Sequence, residues 1–135
     1  MRKKLNCILL VDDDPDDNYY HQIVINKMNI VNHIDIAVNG IEAMAYLKNK
    51  NQNPPEIIFL DINMPKMNGW EFLEEYKNLD IDKKAKVLIM ILTTSANPDD
   101  IKRAKEIQDV TGFETKPLSP ELIKEILQQH FQDYL

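Results

Sequence analysis

Two acidic groups stand where apolar runs end. Ile57-Ile58-Phe59-Leu60 leads into Asp61, and Leu9-Leu10-Val11 leads into Asp12-Asp13-Asp14. A short continuous apolar run reads as a strand buried on both faces. Pro65 stops regular structure four positions after Asp61, so Asp61 is expected at a strand's carboxyl end, facing a loop. In open α/β sheets that rim is where ligands bind. A carboxylate placed there can act as a nucleophile and form an acyl phosphate. Phosphoryl transfer asks for in-line placement and charge neutralisation more than for elaborate acid–base groups. Asp61 is therefore read as the acceptor of a phosphoryl group.

The other acids fit the same chemistry. If the sheet has the doubly wound order 2-1-3-4-5, strands one and three are neighbours at its switch point, and Asp12, Asp13 and Asp61 converge. Bare carboxylates repel there, by about 4 kcal/mol per pair at ~4 Å and an effective dielectric of 20. They stay ionised together only if a cation joins them. All-oxygen ligands with positions open to water suit Mg²⁺. A calcium loop is a competing reading of the alternating acids. Counted from Asp12, however, the sixth position is Asp17 and the twelfth Ile23, where an EF-hand needs Gly and Glu. Asp14, Asp16 and Asp17 are read as capping and solvated residues.

The elements that must position these groups alternate along the chain. Strands are predicted at Leu5 to Val11, Ile34 to Val38, Glu56 to Leu60, Lys86 to Leu92 and Gly112 to Thr115. Helices are predicted at Pro15 to Met28, Gly40 to Lys48, Gly69 to Lys77, Pro98 to Asp109 and Pro120 to about Phe131. Asp14-Pro15, Asn97-Pro98 and Ser119-Pro120 each place a capping side chain before a proline, with acids following. Asn39 with Glu42, and Asn68 with Glu71, have capping-box spacing. Five strand–helix units in alternation imply a parallel sheet covered on both faces. Asn51-Gln52-Asn53-Pro54-Pro55 and Asn78 to Lys84 are polar connections too short to be interdomain linkers. One domain over 1–135 is expected, with its core at about 5–131 and no output domain.

Composition excludes several classes. The net charge of -6 argues against direct nucleic-acid binding, which wants a basic face. The clearest apolar run, Val87 to Leu92, is far short of the ~20 residues needed to cross a bilayer. The amino terminus carries charge but no apolar secretion segment. A single cysteine, Cys7, allows no internal disulfide, and a reducing cytoplasm is expected. Cys7 is read as packing within a strand. His21, His33 and His130 fall at predicted helix or loop positions, and neither they nor Cys7 show metal-ligand spacing. Trp70, Phe72, Leu73 and Tyr76 are read as packing, with an exposed Trp70 the one candidate partner contact.

Asp12-Asp13, Asp61 ahead of Ile62-Asn63-Met64-Pro65 and Asn68-Gly69, the strand end Leu92-Thr93-Thr94-Ser95, and Lys116-Pro117 stand in order along the chain. On these features it resembles a receiver domain of the response-regulator (CheY-like) family over essentially its whole length. Each alone is weak; four of them at strand ends, in order, are specific. The resemblance implies a flavodoxin-like (βα)₅ sandwich with Asp61 as phosphoacceptor. It implies Mg²⁺ held by Asp13, Asp61 and the main-chain carbonyl of Asn63, with Asp12 holding a coordinated water. Thr93 would contact the phosphoryl oxygens, a one-residue shift exchanging it with Thr94. Lys116 would pair with those oxygens, Phe113 would take the place of a switch aromatic, and Lys116-Pro117 would be cis.

The implied partners are a sensor histidine kinase or a histidine phosphotransfer protein as donor, and a separate downstream protein or a second copy as receiver of the signal. Phosphorylation would alter the surface of the fourth helix, fifth strand and fifth helix. The chain is expected not to be an enzyme in the turnover sense. A hydrolase of the haloacid-dehalogenase type also uses an aspartyl phosphate, but its second acid, two residues on, is here Asn63. A receiver fold kept only as a scaffold usually lacks an active-site residue, and here none is missing.

Overall fold

Leu5–Val11 (β1) is apolar at all but one position, and every residue but Asn6 is buried, so it has no solvent face. A strand of this kind must lie inside a sheet with layers on both sides. In the computed structural model it does: a five-stranded parallel sheet runs in the order β2-β1-β3-β4-β5. The structure describes residues 4–49, 54–85, 88–94 and 97–131. The other strands are Val31–Ala37 (β2), Ile57–Leu60 (β3), Leu88–Thr93 (β4) and Val110–Thr115 (β5). The helices are Pro15–Met28 (α1), Gly40–Lys48 (α2), Gly69–Tyr76 (α3), Pro98–Lys105 (α4) and Pro120–His130 (α5). No helix among the described residues is long and apolar enough to cross a membrane.

Two apolar layers follow from the strand alternation. Leu5, Ile8, Leu10, Phe59, Met90 and Leu92 pack with Val24 and Ile25 of α1 and Ile123, Ile126 and Leu127 of α5. Leu9, Val11, Ile58, Leu60, Ile89 and Ile91 pack with α2, with Phe72, Leu73 and Tyr76 of α3, and with Ala104 of α4. The predicted caps form. Asp14, Asn39, Asn68, Asn97 and Ser119 accept from backbone N–H groups of their helices, and Asn68 with Glu71 closes a full capping box.

Several boundaries differ from the sequence reading, each for a local reason. β2 begins at Val31 rather than Ile34, because Leu5 donates to the carbonyl of Ile30 and the pairing with β1 starts there. Its Asn32 and His33 are exposed, as an edge strand allows, and so read as loop. β3 begins at Ile57, with Glu56 just before it, and α3 stops at Tyr76, with Lys77 as its cap. β4 extends to Thr93, and α5 ends at His130. α4 ends at Lys105 rather than Asp109, since a turn over 106–109 feeds β5, which starts at Val110. The predicted Lys86-Val87 start of β4, residues 51–53 of the predicted connection 51–55, and Ser95 lie outside the described residues.

Candidate functional site

The carboxyl ends of β1 and β3 lie side by side. Val11 is the register partner of Leu60, and Asp61 donates its N–H to the carbonyl of Val11 at 2.9 Å. This parallel pairing delivers Asp12, Asp13 and Asp61 to one rim, where each offers a carboxylate oxygen within 4.8 Å of the others. Asp12 and Asp61 are buried; Asp13 is exposed. Asp12 is oriented by the Asp14 N–H, which donates to its Oδ1 at 3.0 Å. The Asn63 N–H donates to Asp61 Oδ1 at 3.3 Å, which folds the β3–α3 loop back over the acid.

One cation serves this rim. Lys116, just past β5, donates from Nζ to Asp12 Oδ2 and to Asp17 Oδ2, the latter at 2.8 Å. The same ammonium lies 3.6 Å from Asp61 Oδ2. Its N–H donates to the Thr93 carbonyl at 2.6 Å, so the ends of β4 and β5 carry it together. Burial alone would lower the lysine's pKa, but the hydrogen bonds with Asp12 and Asp17 hold the ammonium above its ordinary range. Burial pushes Asp61 up to about 6, with Lys116 pulling it back and Asp12 pushing it further. Among the described residues Asp12, Asp13 and Asp61 form no ion pair with any other cation. The rim is thus short of positive charge, and its donors are carboxylate oxygens. Such a set fits a hard dication such as Mg²⁺.

Each residue singled out in the sequence can be placed. Asp12, Asp13, Asp61 and Lys116 come together, and Asn63 touches Asp61 through its backbone. Thr93 is buried, and its Oγ1 has no hydrogen-bond partner among the described residues, whereas Thr94 is exposed. Phe113 is half-buried against the α2–α4 layer. Lys116-Pro117 is cis. Trp70 is half-buried rather than open, with the Arg103 guanidinium 4.4 Å from its ring centre.

The sequence reading missed several groups. Asp17 is an ion-pair partner of Lys116, not only a solvated acid of the first turn. Its three-residue distance from the helix cap puts it on the sheet side, a signal helical periodicity could have given. Asn18 is buried and donates from Nδ2 to the Asp12 carbonyl at 2.8 Å. Glu56 is buried and accepts from the N–H groups of Asn6 and Cys7, both at 3.0 Å. Cys7 and His33, read as showing no metal-ligand spacing, do come together with Asp35, which the sequence reading did not single out, their donor atoms lying within 4.8 Å of one another. The early start of β2 is the reason: His33 is a strand residue paired with Cys7, not a loop residue.

Known proteins resemble this chain in sequence and in fold. The family model "Response regulator receiver domain" matches residues 8–128. Response regulator Rcp1 of Synechocystis sp. is 36% identical over 105 residues, covering 74% of this chain and 69% of that protein. Two-component response regulator 24 of Arabidopsis thaliana is 32% identical over 120 residues, covering 88% and 79%. The crystal structure of a two-component response regulator from Cytophaga hutchinsonii superposes with a TM-score of 0.82 at 27% identity, covering 94% and 97%. The match runs from the first strand into the last helix and takes in all the acids of the rim, and so the chain belongs to the response regulator receiver domain family of two-component signalling.

Proposed function

We propose that the chain accepts a phosphoryl group on Asp61 from a phosphohistidine of a sensor kinase or phosphotransfer protein. The observation that carries this reading is the convergence of Asp12, Asp13 and Asp61 with Lys116 at the carboxyl rim of the sheet. An Asp61 carboxylate oxygen attacks phosphorus, the P–N bond to the donor imidazole breaks, and the leaving imidazole takes its proton from water. Asp13, Asp61 and the Asn63 carbonyl would hold Mg²⁺, with Asp12 holding a coordinated water; when bound, the ion supplies charge neutralisation at the phosphoryl oxygens. Lys116 orients those oxygens by leaving Asp12 and Asp17 for them. Thr93 donates from its unpartnered Oγ1. Water then hydrolyses the acyl phosphate in the same site, which makes the chain a phosphoacceptor rather than a turnover enzyme.

Thr93 and Lys116 also give the modification a route outward. Their backbones are joined by the bond from Lys116 N to the Thr93 carbonyl. Phe113 lies two residues before Thr115, the register partner of Thr93. Movement of Thr93 toward the phosphoryl group therefore repacks Phe113 and alters the α4–β5–α5 surface, to be read by a separate protein or a second copy of the chain.

Intact-mass spectrometry after incubation with Mg²⁺ and acetyl phosphate tests the reading. One labile phosphate is expected, absent in Asp61→Asn. Equal labelling of Asp61→Asn would overturn the assignment.

A further inference from the structure

A second group of ligating side chains lies away from the acidic rim. Cys7 of β1 and His33 of β2 are register partners, and Asp35 follows His33 by two residues, so all three project from one face of the sheet. Tyr46 of α2 closes over them. Its hydroxyl donates to Asp35 Oδ2 at 2.6 Å and stands 3.2 Å from Cys7 Sγ. Cys7 Sγ and His33 Nε2 each lie 3.7 Å from Asp35 Oδ2. Tetrahedral zinc, with bonds of about 2.0–2.3 Å, sets its ligand atoms roughly 3.3–3.5 Å apart. These two separations need only a small contraction, the Cys7 and His33 donor atoms lie within 4.8 Å of each other, and His33, exposed at the edge strand, can move to close the set.

We propose that Cys7, His33 and Asp35 form a site for a zinc-class divalent cation, with Tyr46 holding Asp35 in place. The donors are one sulfur, one nitrogen and one oxygen, which favours Zn²⁺ over the hard cations that carboxylates alone would take. Charge also fits: thiolate and carboxylate together balance a dication, so the loaded site is neutral where it is half-buried. Loading exchanges the thiol proton for the metal, and that proton goes to water. Burial, with Asp35 adding to it against the Tyr46 hydrogen bond, pushes the thiol up to about 11, so the metal-free cysteine is protonated. Access is from the His33 side, since Cys7 itself is buried. The site lies five residues before Asp12 on β1, roughly 16 Å along the strand from the rim. The two sites can therefore be loaded independently.

The test is a titration of the full chain, reduced and in excess Mg²⁺, with Zn²⁺ and with Co²⁺ as optical probe. One Zn²⁺ per chain is expected, and the Co²⁺ form should show the intense near-ultraviolet thiolate-to-metal band of a cysteine ligand. His33→Gln, a change at an exposed position, should weaken Zn²⁺ binding at least about tenfold, and Tyr46→Phe by about 10–100-fold. Cys7→Ser should remove the optical band, and Asp61→Asn should leave both Zn²⁺ affinity and band intact. Zn²⁺ affinity unaltered by His33→Gln, a Co²⁺ spectrum without the thiolate band, or binding lost in Asp61→Asn would each overturn the proposal, the last by placing the metal at the acidic rim.

Discussion

A Cβ on Gly69 would lie 2.6 Å from the Asp61 carbonyl oxygen and 2.7 Å from Ile62 Cα. Both are backbone atoms, so neither can swing aside as a side-chain end would. Gly69→Ala is expected to push the β3–α3 loop off the rim, costing about 1–3 kcal/mol in urea unfolding. Acetyl-phosphate labelling of Asp61 should slow in the same variant. Glu56 has a different task, since its carboxylate takes two N–H groups that β1 turns toward it. Glu56→Ala removes the acceptor of a buried donor, the Cys7 N–H, and of the half-exposed Asn6 N–H, and should cost about 1–3 kcal/mol, read by the same unfolding measurement. At this scale Asp61 was legible because an apolar run, an acid and a proline follow one another in the chain. Glu56 was not: an acid opening a strand looks like a solvent-facing cap until β1 is laid beside it. His33 was hidden similarly, its partner being 26 residues away in sequence and aligned only by the β1–β2 register.

Helix α1 is fastened to the far end of the chain through His21. That imidazole is buried, and its Nε2 accepts from the Leu118 N–H at 3.3 Å, tying α1 to the segment between β5 and α5. Burial, then the nearby Lys116 charge, lowers its pKa from the ordinary 6.5, with Asp17 and Asp12 opposing. The unfolded chain thus takes up a proton before the folded one. The stability due to neutral His21 is present above 6.5 and is lost as pH falls through the lower folded value. Thermal melts between about pH 7 and pH 5 should show this loss, and it should be smaller in His21→Gln. On the other face Arg103 of α4 covers Trp70 of α3. Most elements were legible from caps and prolines, which act within a few residues. The carboxyl end of α4 and the start of β2 were not, because strand pairing set them.

Taken whole, the molecule brings Asp12, Asp13 and Asp61 to one rim of a largely apolar double layer, with Lys116 as the cation paired there among the described residues. Asp61→Asn removes a buried charge while leaving Lys116 paired with Asp12 and Asp17. Without divalent cation, that variant should melt several degrees above the unaltered protein in calorimetry, as a gain of about 1 kcal/mol implies. Saturating Mg²⁺ should narrow or reverse the gap, because an ion at a hundred times its Kd adds about 2.7 kcal/mol to the chain that binds it. The parallel sheet was legible from the alternation of elements, whereas its strand order entered as a condition and through the family resemblance; the rim follows from that order. The sharing of Lys116 among three acids was not, since it depends on where one flexible side chain settles.

That shared ammonium has an effect on motion. At rest it is the clasp between the tail of β5 and the opening turn of α1, through Asp17. Under the proposed reaction, an ammonium drawn to the acyl phosphate of Asp61 can no longer hold that turn. Amide exchange with deuterium at Asn18 to Gln22 should therefore quicken in the phosphorylated protein, so that gaining a covalent group loosens the helix beside it.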